Sequence, residues 1–182
     1  MLRKGLGSGI LRAVGFKVCA GDRALYSKIA AALRQAMDAI ETRTATETDF
    51  DFLVDVHRQT FRGYVEQHWG WDEARQKEGL REDFQAFPYK IICDHGEAIG
   101  AIAIIDQGEA LFLHYIAILP THQRRGLGSQ LIRRVIDKAF EKGIPVKLNV
   151  LKSNPAKALY ERLGFQVTGD DEYRYFMTTG TS

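Results

Sequence analysis

The chain has 182 residues, room for one domain with a sizeable core and an appendage. Its 45% hydrophobic and 26% charged residues are those of a globular chain, and a net charge of +2 gives no reason to expect nucleic acid as a partner. No apolar run approaches the ~20 residues of a membrane-spanning helix, and Cys19 and Cys93 fit no metal-ligand spacing. Integral membrane association and a bound metal are therefore not expected. Two free thiols suit a reducing, cytoplasmic compartment.

The charge is uneven. Residues 1–40 carry seven Lys and Arg against Asp22 and Asp38, a local +5, which leaves −3 for the remaining 142 residues. Residues 1–40 read as a basic N-terminal extension, and residues 41–182 as the domain. Within the extension, "GLGSG" follows no strand and precedes no Gly-Lys-Ser/Thr, so it is not a phosphate loop. From Asp22, a candidate N-cap, Leu25, Ile29, Leu33, Ala36 and Ile40 recur at helical spacing. Such an amphipathic helix suits packing on the domain or a homodimer contact. A product starting at Met37 would lose none of the motifs below.

"TRTAT" (42–46) alternates like a strand. Thr48 or Asp49 can cap a helix that carries Phe52, Leu53, Val56, Thr60 and Phe61. An aromatic loop, "GYVEQHWGWDE", leads to a charged helix from about Asp72 to Phe84. Three β-rich runs follow, "YKIICD", "HGEAIGAIAIID" and "EALFLHYIAIL", punctuated by His95-Gly96 and Gln107-Gly108 as hairpin turns. A helix from Gly126 to Lys142 presents Leu127, Leu131, Ile132, Val135, Ile136, Ala139 and Phe140 on one face and ends at Gly143. "VKLNVL" is a strand, Asn154 opens a short helix closed by Gly164, and "FQVTGD" and "YRYFMTT" end the chain as strands. This order predicts an α+β fold: a mixed, mostly antiparallel sheet of about six to seven strands with four flanking helices, one parallel crossover and an N-terminal helical extension.

The informative motif is "HQRRGLGSQLIRRV". A strand ends at Leu119-Pro120, and a short loop delivers Gly126 and Gly128 to a helix start. The first turn of a helix has amides without internal partners and roughly half a positive charge. Glycines let an anion reach those amides, and Arg124 and Arg125 add guanidinium donors suited to phosphate oxygens. The stretch reads as a diphosphate cradle, but it lacks the Walker lysine and the third glycine of a dinucleotide fingerprint.

Gln123-Arg124-Arg125-Gly126-Leu127-Gly128 resembles the Q/R-x-x-G-x-G/A signature of the GNAT-type acyl-CoA N-acyltransferases. "LNVLKSNPAKALYERLGF" resembles the second motif of that family, and the likeness covers about residues 41–179. The resemblance implies a GNAT fold and acetyl-CoA as co-substrate between two splayed strands. Backbone groups of Ile116, Ala117 and Ile118 would lie along the pantetheine arm, and an amide there, that of Ile118 foremost, would polarise the thioester carbonyl. Amides from Arg124 to Ser129 (Arg124, Arg125, Gly126, Leu127, Gly128, Ser129), with Gln123 before them, would take the diphosphate. Asn154 and Lys157 would touch the cofactor from the second helix. Asn154 stands one place later than the asparagine of the family, whose position here is Ser153, so capping its own helix is an equal role for Asn154.

An amine with a pKa near 10.4 costs about 4.6 kcal/mol to deprotonate at pH 7, so a base helps, while a thiol of pKa near 8.5 leaves readily. Tyr160 stands where the family places its acid. The candidate bases are Glu66, read as part of the aromatic loop, and His114, which shares a strand face with Ile116 if the two-residue repeat holds. Water relayed by backbone carbonyls competes with both. Tyr64, Trp69 and Trp71, with nearby carboxylates, are candidates for an acceptor pocket for a small-molecule or peptide amine. The expectation is an N-acetyltransferase of unidentified acceptor. The alternative is a catalytically silent CoA-binding module that acts as a sensor.

Overall fold

The computed structural model describes residues 40–180. The readings made on the N-terminal extension and Cys19 lie outside the described residues. The elements are β1 (Ile40–Thr44), α1 (Phe50–Trp69), α2 (Glu73–Ala86), β2 (Tyr89–Asp94), β3 (Glu97–Asp106), β4 (Leu111–Ile118), α3 (Leu127–Glu141), β5 (Val146–Leu151), α4 (Ala156–Arg162), β6 (Gln166–Asp170) and β7 (Arg174–Thr178). The seven strands form one sheet in the order β1-β2-β3-β4-β5-β7-β6. Only β4 and β5 run parallel, joined by the crossover through α3. The α+β reading from the sequence holds, including the meander and the crossover.

Two apolar layers flank the sheet. On one side, Leu131, Ile132, Val135 and Ala139 of α3 pack with Tyr160 of α4 on Leu111, Leu113, Leu148 and Met177. On the other, Phe50, Leu53 and Val56 of α1 and Leu80 of α2 pack on Tyr89, Ile91, Tyr115 and Ala117. Phe140, read as part of the apolar face of α3, is 65% exposed. It lies one residue beyond Ala139, about 100° further round the helix, and so leaves the buried stripe.

Asp49, one of the two cap candidates, is the N-cap residue of α1, but its carboxylate makes no bond to the helix's own amides. Thr48 spends its hydroxyl on Thr46 Oγ1 (2.9 Å). Asp49 accepts the Thr46 N–H (2.8 Å) and a forked pair from Arg43 Nη1 and Nη2 (2.8 and 2.6 Å). Arg43 holds the carboxyl of Asp49 well below the usual carboxylate range, with help from Thr46. The ion pair thus ties β1 to the start of α1.

The feature that shapes the site is in β4. Residues Ala103 and Tyr115 are partners across β3 and β4, but the next residue of β3, Ile104, pairs with Leu113. His114 is the extra residue, and β4 bulges there. A one-residue slip exchanges the faces of a strand. Leu111 and Leu113 accordingly face the α3 layer, whereas Tyr115 and Ala117 face the α1 layer. The parallel pairing of β4 with β5 ends at Leu113 and Leu148, next to the bulge.

Gly100 of β3 lies opposite the far end of β4, paired with Ile118. A β-carbon at Gly100 would stand 2.2 Å from the carbonyl oxygen of Ala117 and 3.0 Å from the Cα of Ile118, both backbone atoms that cannot swing aside. Gly100→Ala should therefore destabilise the protein by about 1–3 kcal/mol, as overpacked cores do, and lower Tm by roughly 2–4 °C per kcal/mol. A thermal melt checks this.

Candidate active site

Beyond His114 the pairing of β4 with β5 has ended, and a cleft of about 690 Å³ opens along the freed part of β4. Ile116, Ala117 and Ile118 of β4 form one wall, Asn154 to Ala156, Leu159 and Tyr160 another, and Thr60, Phe61 and Tyr64 of α1 approach from the side. Leu119 N–H bonds to Ile99 O of β3 (2.8 Å). Peptide groups alternate along a strand, so the N–H groups of Ile116 and Ile118 turn toward the edge that β5 has left.

The loop after β4, expected to take a diphosphate, closes one end of the cleft. Gln123, Arg124 and Gly126 line it, followed by Leu127, Gly128 and Ser129 at the start of α3. Gly126 is the helix N-cap with φ +82°, and Arg124 adopts φ +61°. The N–H of Gln130 bonds to Gly126 O (3.1 Å). The amides of Leu127, Gly128 and Ser129 precede that first helical bond and are free for an anion. Gln123 Nε2–H donates to Ile118 O (2.8 Å), fixing the loop to the end of β4. Free strand amides over an apolar floor suit an amide-bearing arm, and a cationic helix start suits a diphosphate, so the donor set fits acetyl-CoA.

Tyr160 lines the cleft and is only 7% exposed, with its ring edge-on to Phe165 at 5.7 Å. Burial pushes its phenol up to about 12. Asn154 lines the cleft, but its Oδ1 accepts the N–H of Ala156 (2.9 Å), which is the capping role. Ser153 Oγ is buried without a hydrogen-bond partner.

Several sequence candidates are not at the cleft. Lys157 is outside its lining: Nζ pairs with Glu161 (2.5 Å) and lies 5.1 Å from the centre of the Tyr175 ring. Arg125 is also outside the lining, and its side chain turns to Asp94 (3.1 Å). Glu66 belongs to α1 and not to a loop, since the helix runs on to Trp69. Its carboxylate faces Arg62 (3.6 Å) and is about half exposed, away from the cleft.

His114 does not share the face of Ile116, because the bulge lies between them. Its Nε2 is 3.1 Å from Asp83 Oδ2 and its ring 4.4 Å from that of Phe87, both on the α2 side. Of the aromatic candidates, Tyr64 lines the cleft. Trp69 is half exposed and packs on Tyr173 at 4.6 Å, and Trp71 donates Nε1–H to Glu73 (2.7 Å).

Phe61, Thr60, His122 and Arg162 also line the cleft and were not singled out as site residues from the sequence. Thr60, Phe61 and Tyr64 lie at the i, i+1 and i+4 positions of α1, so the helical period was the available signal. Among the described residues no cluster of His, Cys, Asp and Glu could hold a metal, and no helix is long and apolar enough to cross a membrane.

The model of the acetyltransferase (GNAT) family matches residues 50–165, and the chain belongs to that family. A curated relative, the [ribosomal protein bS18]-alanine N-acetyltransferase of Haemophilus influenzae, is 46% identical over 118 residues, 64% of this chain and 75% of that protein. Among solved structures, the PaiA N-acetyltransferase of Thermoplasma acidophilum, in complex with coenzyme A, superposes with a TM-score of 0.63 at 19% identity, over 77% of this chain and 98% of that one. The ribosomal-protein-S18-alanine N-acetyltransferase of Escherichia coli gives 0.58 at 22% identity, over 79% and 94%. The protein is an N-acetyltransferase of that family.

The two loop glycines should respond differently to a methyl group. At Gly126 the left-handed φ of +82° makes alanine strained, so Gly126→Ala should lower stability by about 1–2 kcal/mol. At Gly128 the nearest atoms to an added β-carbon, Ile118 Cδ1 and Leu159 Cδ2, are an ordinary 3.9 Å away. Gly128→Ala should keep or raise Tm, as helical alanine does by up to about 1 kcal/mol, yet bind CoA more weakly. Melts and calorimetric titrations check both.

Proposed function

We propose that the acceptor is the α-amine of a peptide or protein N-terminus. The carrying observation is that the cleft lining contains no aspartate or glutamate. An α-amine has a pKa of about 7.7–8.0, so its neutral form costs only about 1 kcal/mol at pH 7, against about 4.6 kcal/mol for a lysine-like amine. An acceptor of that kind needs no carboxylate base. Water held by cleft carbonyls suffices to take its proton. The name of the Haemophilus influenzae relative, an alanine N-acetyltransferase for a ribosomal protein, supports the same reading.

In this reading the amine attacks the thioester carbonyl, whose oxygen draws on the Ile118 N–H. The diphosphate rests on the amides from Arg124 to Ser129. Tyr160, protonated up to about pH 12, donates a hydrogen bond to the sulfur as negative charge grows there. Complete transfer of the proton from a phenol of about 12 to a thiolate whose acid has a pKa near 8.5 is uphill. The phenol therefore stabilises the developing charge and leaves the thiolate to be protonated in water.

Tyr160→Phe should lower kcat by about 10- to 100-fold, the lower part of the range for acid–base groups, with CoA affinity kept. Because its phenol stays protonated, the wild-type rate should show no loss from Tyr160 ionisation between pH 7 and 10. The acceptor is tested by thiol release with a peptide beginning in alanine, the same peptide with a blocked N-terminus and an internal lysine, and free small amines. Activity on the first alone supports the reading. Activity on the blocked peptide or the small amines, at equal or greater rate, overturns it.

A further inference from the structure

The diphosphate loop carries two adjacent arginines that are placed quite differently. Arg124 lines the cleft, and no salt bridge is formed by it among the described residues. Arg125 points out of the loop, and its Nη2 lies 3.1 Å from Asp94 Oδ2. Asp94 is the last residue of β2, and its side chain is only 11% exposed, against 51% for Arg125. The strand fixes Asp94 firmly: it pairs with Ile40 of β1 on one side and Glu97 of β3 on the other. Among the described residues the only other titratable group against its carboxylate is the exposed His95, at 3.7 Å.

The loop is therefore pinned twice to the sheet. Gln123 binds the carbonyl of Ile118 on β4, and Arg125 binds Asp94 on β2. Between the pins, Arg124 holds φ +61°, a conformation that L side chains adopt at a cost. Strain of this kind persists only where the surroundings over-determine it. The two pins flank the strained residue and supply that constraint. A mostly desolvated carboxylate also holds its cation more tightly than an exposed one does.

We propose that Asp94 is a positioning residue for co-substrate binding. Through Arg125 it sets the backbone of residues 123–126, so that Arg124 and the first amides of α3 meet the diphosphate already in place. The two arginines divide the work: Arg124 supplies charge to the ligand, and Arg125 holds the frame. The inference rests on the reading that this loop takes the diphosphate.

The test is a double-mutant cycle on the full chain, with CoA and pantetheine, which lacks the diphosphate, as ligands. Asp94→Asn and Arg125→Gln should each weaken CoA by about 5- to 20-fold, and the double variant should be no worse than the weaker single, as members of one contact behave. Pantetheine should bind all of these with unchanged affinity, and kcat at saturating acetyl-CoA should be kept within about threefold because the loss lies in binding. Arg125→Lys, which keeps the charge without the fork, should fall between wild type and Arg125→Gln and serves if the glutamine variant does not fold. Raising salt should weaken CoA binding to Arg125→Gln as steeply as to wild type, and less steeply to Arg124→Gln.

Independent losses that multiply in the double variant would overturn the proposal, as would an equal loss of pantetheine affinity in the singles. A flattened salt dependence in Arg125→Gln would also contradict it. If Arg124→Gln leaves CoA affinity unchanged, the loop does not take the diphosphate, and it is the underlying reading that fails.

Discussion

One extra residue in β4 is the constraint from which the site follows. With His114 inserted between Leu113 and Tyr115, the strand changes faces in mid-course and parts from β5 after Leu113. A regular strand would have kept its parallel partner, and its peptide groups would be spent on the ladder. The bulge instead leaves the N–H groups of Ile116 and Ile118 on an unpaired edge. An amide-bearing arm can complete that edge as a strand would. The same slip carries His114 to the α2 side, against Asp83, and so removes the strand's one imidazole from the cleft.

The cleft's electrostatics follow from its ends. At the loop end, free helix amides and Arg124 favour an anion. Apart from Arg162 and His122, the rest of the lining is apolar or neutral, and none of it is a carboxylate. Burial among such groups keeps Tyr160 protonated, which suits a hydrogen-bond donor to a sulfur gaining charge. On the proposed reading, the site grips the diphosphate strongly and asks little of a base. That asymmetry matches an acceptor amine with a sizeable neutral fraction at physiological pH.

The parts of this protein legible in its sequence were those with a local chemical signal. The order of elements is carried by periodicity and the parallel crossover by the helix after "YIAILP", while glycines and arginines beside a helix start mark the loop that we propose for the diphosphate. The placement of Glu66, His114, Trp69 and Trp71 was not legible. Aromatics and Gly63 suggest a loop over Tyr64 to Trp69, yet Gly63 sits within α1, where an added β-carbon would meet nothing within 4 Å beyond the helix's own backbone. His114 was assigned by the two-residue repeat, which a bulge breaks without altering composition. Arg125 and Lys157 carry the right charge for a phosphate but are engaged by Asp94 and Glu161. Those partners lie 31 residues before Arg125, beyond any local pattern, and one helical turn after Lys157.

We propose that the edge freed by the bulge, together with the loop after it, holds acetyl-CoA. The direct measurement is an amide-resolved NMR titration of the labelled protein with CoA. The account predicts that the largest shifts fall at Ile116 to Ile118 and at Arg124 to Ser129, with the α2 face around Asp83 and His114 unmoved. Large shifts on that α2 face, with residues 116–118 and 124–129 unmoved, would contradict it.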